Sequence, residues 1–153
     1  MSENYYDVVV IGGGPAGYPA AIRAAQLGLS AACVDDWKCP DGSRQFGGTC
    51  LNVGCIPSKA LLESSELYHR AATEFGEHGI GVANLSLDIA RMQQRKGAIV
   101  KQLTSGVEAL FKAAGVTAYK ARGKLLPGNR VEVTGEDGAR RTSTCWHGRS
   151  PRR

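Results

Sequence analysis

An apolar run of β-branched residues that ends directly in a glycine turn constrains this chain most. Tyr5-Tyr6-Asp7-Val8-Val9-Val10-Ile11 passes straight into Gly12-Gly13-Gly14-Pro15-Ala16-Gly17. A continuous run of that kind suits a strand buried on both faces of a parallel sheet. Ala20, Ala21, Ile22, Ala24, Ala25 and Leu27 follow as a small-residue helix, with Gly28 placed as its C-terminal cap. Ala31 to Val34 read as a second strand, and Asp35 stands at its end. Strand, G-x-G-x-x-G turn, helix, strand and acid form the order of a dinucleotide-binding unit. Pro19 falls about one turn into the helix, where loss of a backbone donor is expected to kink or weaken it.

Each part of that unit has a physical task. Gly12 permits the tight turn, Gly14 lets backbone approach a pyrophosphate, and Gly17 lets the helix pack close to the strand. Pro15 and Ala16 complete the loop, and the helix N-terminus offers N–H groups to phosphate. Asp35, 18 residues after Gly17, is placed to accept hydrogen bonds from a ribose. A glycine fingerprint alone also occurs as a turn in unrelated α/β proteins; the flanking elements weigh this one toward a cofactor.

Asp36 to Phe46 is polar and reads as a surface loop holding Cys39, with Trp37 either a lid or a half-buried anchor. Beyond it lies Gly47-Gly48-Thr49-Cys50-Leu51-Asn52-Val53-Gly54-Cys55-Ile56-Pro57-Ser58-Lys59-Ala60-Leu61-Leu62. On a regular helix, five residues would point the Cys50 and Cys55 side chains about 140° apart. A bond between them therefore requires a distorted segment, for which Gly54 and Pro57 are suited. A strained, accessible disulfide is the labile, catalytic kind. A cysteine near a helix N-terminus has a lowered thiolate pKa, and Lys59, one turn past Cys55, adds positive charge. Two inert cysteines or half of a zinc site are the alternatives. Zinc ranks below redox chemistry because Cys39 and His69 form no recognisable second ligand pair, and no metal is expected.

Charge and cysteine count narrow the function classes. Residues 1–138 carry 14 acidic and 14 basic side chains, so the formal net charge of +5 comes from Arg140, Arg141, Arg149, Arg152 and Arg153. The body offers no net basic face, and nucleic acid is not an expected partner. Five cysteines, an odd number, with no signal-peptide pattern at the start, argue against a secreted disulfide framework. The longest apolar run is far too short to span a membrane. A cytoplasmic location is expected, where paired cysteines more often mean redox catalysis.

The cysteine-bearing string resembles the active-site disulfide of dihydrolipoamide dehydrogenases, within the pyridine nucleotide-disulfide oxidoreductase family. Val8 to Tyr18 and Ala20 to Leu29 fit the same family, and the resemblance runs from about Tyr5 to Gly138. Leu51, Ile56 and Ser58 favour the lipoamide branch over glutathione reductases, with mercuric reductases nearer. The resemblance implies FAD as cofactor. Gly12, Gly14, Pro15, Ala16 and Gly17 would face its pyrophosphate, Asp35 its ribose, and Gly48 and Thr49 would line it. Cys55 would be the flavin-side thiol with charge-transfer character, Cys50 the interchange thiol that meets dihydrolipoamide, and Lys59 a neighbour of the reactive flavin nitrogen. The family's activity is dihydrolipoamide oxidation with NAD as acceptor. Its partners are the lipoyl domain of a 2-oxo acid dehydrogenase complex and a second subunit.

Farther on, Ala60 to Ala72 continues the helix, and Leu87 to Ala114 reads as a long amphipathic helix. Its apolar stripe is Met92, Ile99, Leu103, Val107, Leu110, Phe111 and Ala114; Arg91, Arg95, Lys96, Lys101 and Lys112 form a solvated face. His69 and His78 read as surface residues. Val116 to Leu126, Arg130 to Thr134 and a segment from Ala139 read as short strands, resembling the family's antiparallel β-meander. Gly123 falls where the family brings backbone close to the adenine. The fold expected is α/β: a Rossmann-like FAD-binding domain over residues 1–139, with a parallel sheet and the meander, truncated before its final strand. Residues 140–153 are expected to form an atypical, disordered basic tail. Only one G-x-G-x-x-G occurs, so no NAD site is expected in this chain, nor the family's dimer interface domain. The competing expectation is a truncated or frameshifted product, inactive by itself.

Overall fold

The computed structural model describes residues 4–136 and 138–145. The chain divides into two compact units. One takes in residues up to Gly48 and from Thr104 onward; the other is Thr49–Leu103.

The first unit contains two sheets. β2 (Val8–Ile11), β3 (Ala31–Asp35) and β4 (Thr117–Lys120) form a parallel three-stranded sheet in the order β2-β3-β4. β1 (Asn4–Tyr6), β5 (Arg122–Leu126), β6 (Arg130–Thr134) and β7 (Arg140–Cys145) form the second, in the order β1-β7-β6-β5. The β5-β6-β7 part is antiparallel, while β1 runs parallel to β7. This is the α/β fold with a parallel sheet and a meander read from the sequence.

Two expected single strands are each broken in the structure. The Tyr5–Ile11 run splits at Asp7, whose backbone N–H donates to Ser30 O at 3.0 Å and whose carboxylate accepts from Ser30 N at 2.8 Å and Oγ at 2.7 Å. β2 is half-buried rather than covered on both faces; β3 instead fits that expectation, with Ala31, Ala32, Cys33 and Val34 all at 2% exposure or less. The Val116–Leu126 run splits at Ala121, whose N–H donates to Asp35 O at 2.9 Å. That bond holds the chain at the end of β3 as it leaves one sheet for the other. Val34, Ala121, Val131 and Val133 form the core beneath the crossing, with Val9 and Tyr119 against it.

α1 is Gly17–Gln26, so Pro19 is its third residue and lies within the first turn rather than a full turn into the helix. In a first turn the missing N–H has no intrahelical partner to lose, and no kink results. Gly28, at φ +83°, ends the helix as expected: its N–H bonds to Ala25 O at 2.9 Å and that of Leu29 to Ala24 O at 3.2 Å.

The sheet also passes the expected boundary at residue 139. Arg140–Cys145 pairs with β6 on one side and β1 on the other, and Ser143 is buried. β-branched Thr142 and Thr144 suit a strand that has ladders on both edges. The rest of the expected tail, residues 146–153, lies outside the described residues.

Thr49–Leu103 is helical. It holds most of α2 (Gly48–Asn52), α3 (Cys55–Thr73), a short 3-10 turn (Phe75–His78) and the first part of α4 (Ile89–Ala114). Arg95, read as part of a solvated face, ties α4 to α3 instead. It donates to Ala60 O at 3.1 Å and to Glu63 Oε2 at 2.7 Å. Leu62 and Leu67 on α3 are exposed, and Pro57 and Ala60 are its buried residues. In the first unit, α4 buries Thr104, Val107 and Phe111, while Leu103 and Leu110 of the expected stripe are exposed.

Candidate functional site

The glycine turn of the first unit is built almost without side chains. Gly12 has φ +104° and its N–H donates to Val34 O at 2.7 Å, which closes the turn over the end of β3. A Cβ on Gly17 would lie 1.7 Å from Gly12 O, so only glycine lets α1 start there. A Cβ on Gly14 would meet nothing nearer than Gly48 Cα at 3.8 Å, so this glycine leaves open space beside the turn. Pro15 and Ala16 are exposed, no side chain caps α1, and no acidic residue occupies its first turn. Bare backbone, open space and an uncapped helix N-terminus suit a phosphate group.

Asp35 is anchored by backbone. Its Oδ2 accepts from Gly13 N at 2.8 Å and its Oδ1 from Trp37 N at 3.1 Å. Each oxygen retains a lone pair for a further donor, such as a ribose hydroxyl.

Gly13 and Phe46 are participants that the sequence reading missed. Phe46, read as part of a polar surface loop, is 1% exposed and packs edge-on to Phe111 with centroids 5.0 Å apart. Its ring occupies the space of a Gly13 side chain: a Cβ there would lie 2.4 Å from Phe46 Cδ1 and 2.9 Å from Asp35 Oδ2. Gly47 N donates to Gly13 O at 2.8 Å, and a Cβ on Gly48 would lie 2.9 Å from Gly14 Cα. The second glycine pair thus closes on the first. A third consecutive glycine, one more than G-x-G requires, was the available signal. Gly123 also has a packing cause: a Cβ would lie 3.2 Å from both Ile11 Cγ2 and Val34 Cγ1.

Cys33 lies under the turn, fully buried, with its Sγ near Gly12 O. Burial first, and the Asp35 charge second, push its thiol up to about 12. It is inert rather than catalytic. Native chain at pH 8 should leave Cys33 unalkylated by iodoacetamide, and unfolded chain should not. An unfolded thiol ionises from about pH 9 while the folded one stays protonated to about 12. Cys33 therefore stabilises the fold fully below pH 9 and loses that contribution, by about 1.4 kcal/mol per unit, as pH rises above it. A Cys33→Ala chain with the same alkaline slope in urea unfolding would contradict this.

The cysteine pair lies in the second unit. Cys50 is on α2, Cys55 is the first residue of α3, and the helix breaks between them at Val53 and Gly54. The distortion expected from the spacing is present, and Gly54 provides it. Pro57 does not, because it sits in the first turn of α3. A Cβ on Gly54 would lie 3.0 Å from Thr49 O and 3.3 Å from Cys50 Cα, so the break is a close backbone contact. Both cysteines are free thiols and they touch. The thiol of Cys50 is raised above its ordinary value, chiefly because it donates a hydrogen bond to Cys55; Lys59 pulls the other way. Lys59 itself is exposed on α3. His69 and His78 are exposed, and among the described residues no group of three or more His, Cys, Asp or Glu is placed to hold a metal. No described helix is long and apolar enough to cross a membrane.

These two constellations, a bare glycine turn with its acid and a dithiol across a helix break, both fall within the span of one matching family model. It is that of pyridine nucleotide-disulphide oxidoreductases, matched over residues 6–143. The chain belongs to this family. Membership implies a flavin cofactor. Curated relatives are similar across most of the chain. A dihydrolipoyl dehydrogenase of Trypanosoma brucei brucei is 52% identical over 136 residues, 88% of this chain and 27% of that protein. One of Cupriavidus necator is 50% identical over 142 residues, 89% of this chain and 30% of the other. A mitochondrial one of Arabidopsis thaliana is 51% identical over 132 residues, 86% of this chain and 25% of the other. The chain thus spans between a quarter and a third of the length of these family relatives.

Proposed function

We propose that this chain is the cofactor-holding and dithiol-bearing part of a dihydrolipoyl dehydrogenase, with FAD as its flavin. The observation that carries the reading is the Cys50–Cys55 pair across the Gly54 break. When bound, FAD supplies a two-electron acceptor for the dithiol. Gly12, Gly14, Pro15, Ala16, Gly17 and Gly48 hold its phosphates on backbone, Asp35 takes a ribose hydroxyl, and Gly123 lies toward the adenine. Thr49 and Lys59 line the flavin end, with Cys55 as the flavin-side thiol. Cys50 exchanges with dihydrolipoamide, carried by a lipoyl domain of a 2-oxo acid dehydrogenase complex. In the whole protein NAD is the final acceptor and the protein pairs with a second copy. A reducing compartment, cytoplasmic or mitochondrial, suits this chemistry.

Titration of the purified chain with FAD, followed by flavin fluorescence, tests the reading. Saturable binding is expected, weakened at least about tenfold by Gly14→Ala, because a methyl group takes the space of a phosphate oxygen. A folded chain that binds no FAD, or a Gly14→Ala chain that binds it equally well, would overturn it.

A further inference from the structure

We propose that Arg44 is a positioning residue for nucleotide binding: it straps the loop after β3 in place and so holds the Asp35 carboxylate where a ribose hydroxyl can meet it. The inference rests on the reading of Asp35 as the ribose acid, and adds a residue that acts through Asp35 rather than on the ligand.

Residues 37–45 fold back on themselves as a small hairpin. Lys38 and Arg44 pair as an antiparallel bridge. Cys39 N donates to Ser43 O at 2.8 Å, Gly42 N to Cys39 O at 2.9 Å, and Gln45 N to Trp37 O at 3.3 Å. Both ends of the hairpin reach the glycine turn. At its start, Trp37 N donates to Asp35 Oδ1, while Asp35 Oδ2 accepts from Gly13 N. Just past its end, Phe46 fills the space beside Gly13, and Gly47 N donates to Gly13 O. The orientation of the Asp35 carboxylate therefore depends on where the hairpin lies.

Arg44 ties that hairpin to two other segments. Its Nη1 donates to Lys120 O at 3.2 Å, at the end of β4, and lies 3.3 Å from Glu136 Oε1 in the connection between β6 and β7. Lys120 is the ladder partner of Asp35, so the tie is made directly beside the residue it orients. The Lys120 ammonium is held by Glu108 at 2.7 Å and leaves Glu136 to Arg44. The Arg44 side chain is 10% exposed, and its Nε is buried with no acceptor among the described residues. A buried guanidinium with an orphaned donor is a poor source of stability, since an apolar side chain of similar length would avoid the desolvation cost. Arginine contributes direction instead. A charged donor bonded to acceptors on two segments sets the position of the hairpin along the sheet end, which apolar contact would leave free to slide.

The test compares ADP, which carries the adenosine ribose of FAD, with 2′,3′-dideoxyadenosine diphosphate, which offers Asp35 no hydroxyl. In calorimetric titration of the full chain, Arg44→Met should weaken ADP about fivefold and leave the dideoxy ligand within about twofold of the parent, because only the contact at Asp35 loses its pre-organisation. Arg44→Lys, which keeps a donor and the charge, should recover part of the ADP affinity. In hydrogen exchange, the Gly13 and Trp37 amides should exchange at least about tenfold faster in Arg44→Met, while the Leu29 amide, bonded to Ala24 O, keeps its parent rate. Equal losses for both ligands, unchanged ADP affinity, or faster exchange at Leu29 as well would each overturn the proposal. Should Arg44→Met unfold, Glu136→Lys decides, because Glu136 is 65% exposed and its replacement leaves the core alone. Repulsion of Arg44 should then weaken ADP about twofold and spare the dideoxy ligand, and no selective loss refutes the strap. A parent that binds no nucleotide ends the cofactor reading alone, and the exchange rates at Gly13 and Trp37 then decide on Arg44 without a ligand.

Discussion

A Gly17→Ala chain is expected to lose its fold, and not only its cofactor. The methyl carbon would sit 1.7 Å from Gly12 O and 2.8 Å from Gly12 C. Both are backbone atoms of the turn, so no side chain can swing away. The turn cannot retreat either, because Gly12 N is fixed to Val34 O at the end of β3. α1 would have to leave the sheet, taking Ala21 and Ala24 out of the core. A cost of about 3 kcal/mol or more follows, the upper end of overpacking effects. Gly14→Ala makes the control, because its methyl group has a nearest contact of 3.8 Å and should leave urea unfolding almost unchanged. One methyl group three residues apart thus separates stability from ligand binding. A Gly17→Ala chain melting within about 2 °C of the parent would show that the turn is far softer than its contacts imply.

Local chemistry was legible in the sequence, and long-range partnership was not. β3, the Gly28 cap, Asp35 at a strand end and the helix break between the cysteines each follow from residues adjacent in the chain. Asp7 was misread because a lone carboxylate in an apolar run looks like noise until Ser30, 23 residues on, binds it. Ala121 gives no local signal for changing sheets, since the cause is the Asp35 carbonyl. Arg140–Cys145 resembled a tail by composition, yet strands on both sides supply its hydrogen bonds. In α4 the buried stripe runs through Thr104, Val107 and Phe111. Periodicity alone favoured Leu103, one residue earlier. At the site, the glycines and cysteines were visible because their chemistry demands those residue types. The Phe46 ring that fills the missing Gly13 side chain was hidden, because a cavity and its occupant lie 33 residues apart.

That hidden contact gives the second large effect. Gly13→Ala is expected to destabilise the first unit by about 2–3 kcal/mol, because its methyl group would overlap a buried ring and crowd a carboxylate at once. Phe46 has no free rotamer to take: it is 1% exposed and lies edge-on to Phe111 at an interplanar angle of 85°. Asp35 cannot yield without losing its bonds to Gly13 N and Trp37 N. Phe46→Leu alone should cost about 1–2 kcal/mol, through lost ring contact with Phe111. The two together should cost less than their sum by at least about 1 kcal/mol, since the smaller side chain vacates the space that the new methyl group needs. Urea unfolding of the four chains measures that coupling directly. If the effects add to within about 0.5 kcal/mol, Phe46 is not what keeps position 13 a glycine. The crowding would then fall on Asp35, and Gly13→Ala with Asp35→Ala should relieve it instead. The same cycle read by FAD titration distinguishes packing from positioning. Phe46→Leu in the Gly13→Ala chain should restore stability, while affinity returns only if the Asp35 carboxylate regains its bond to residue 13.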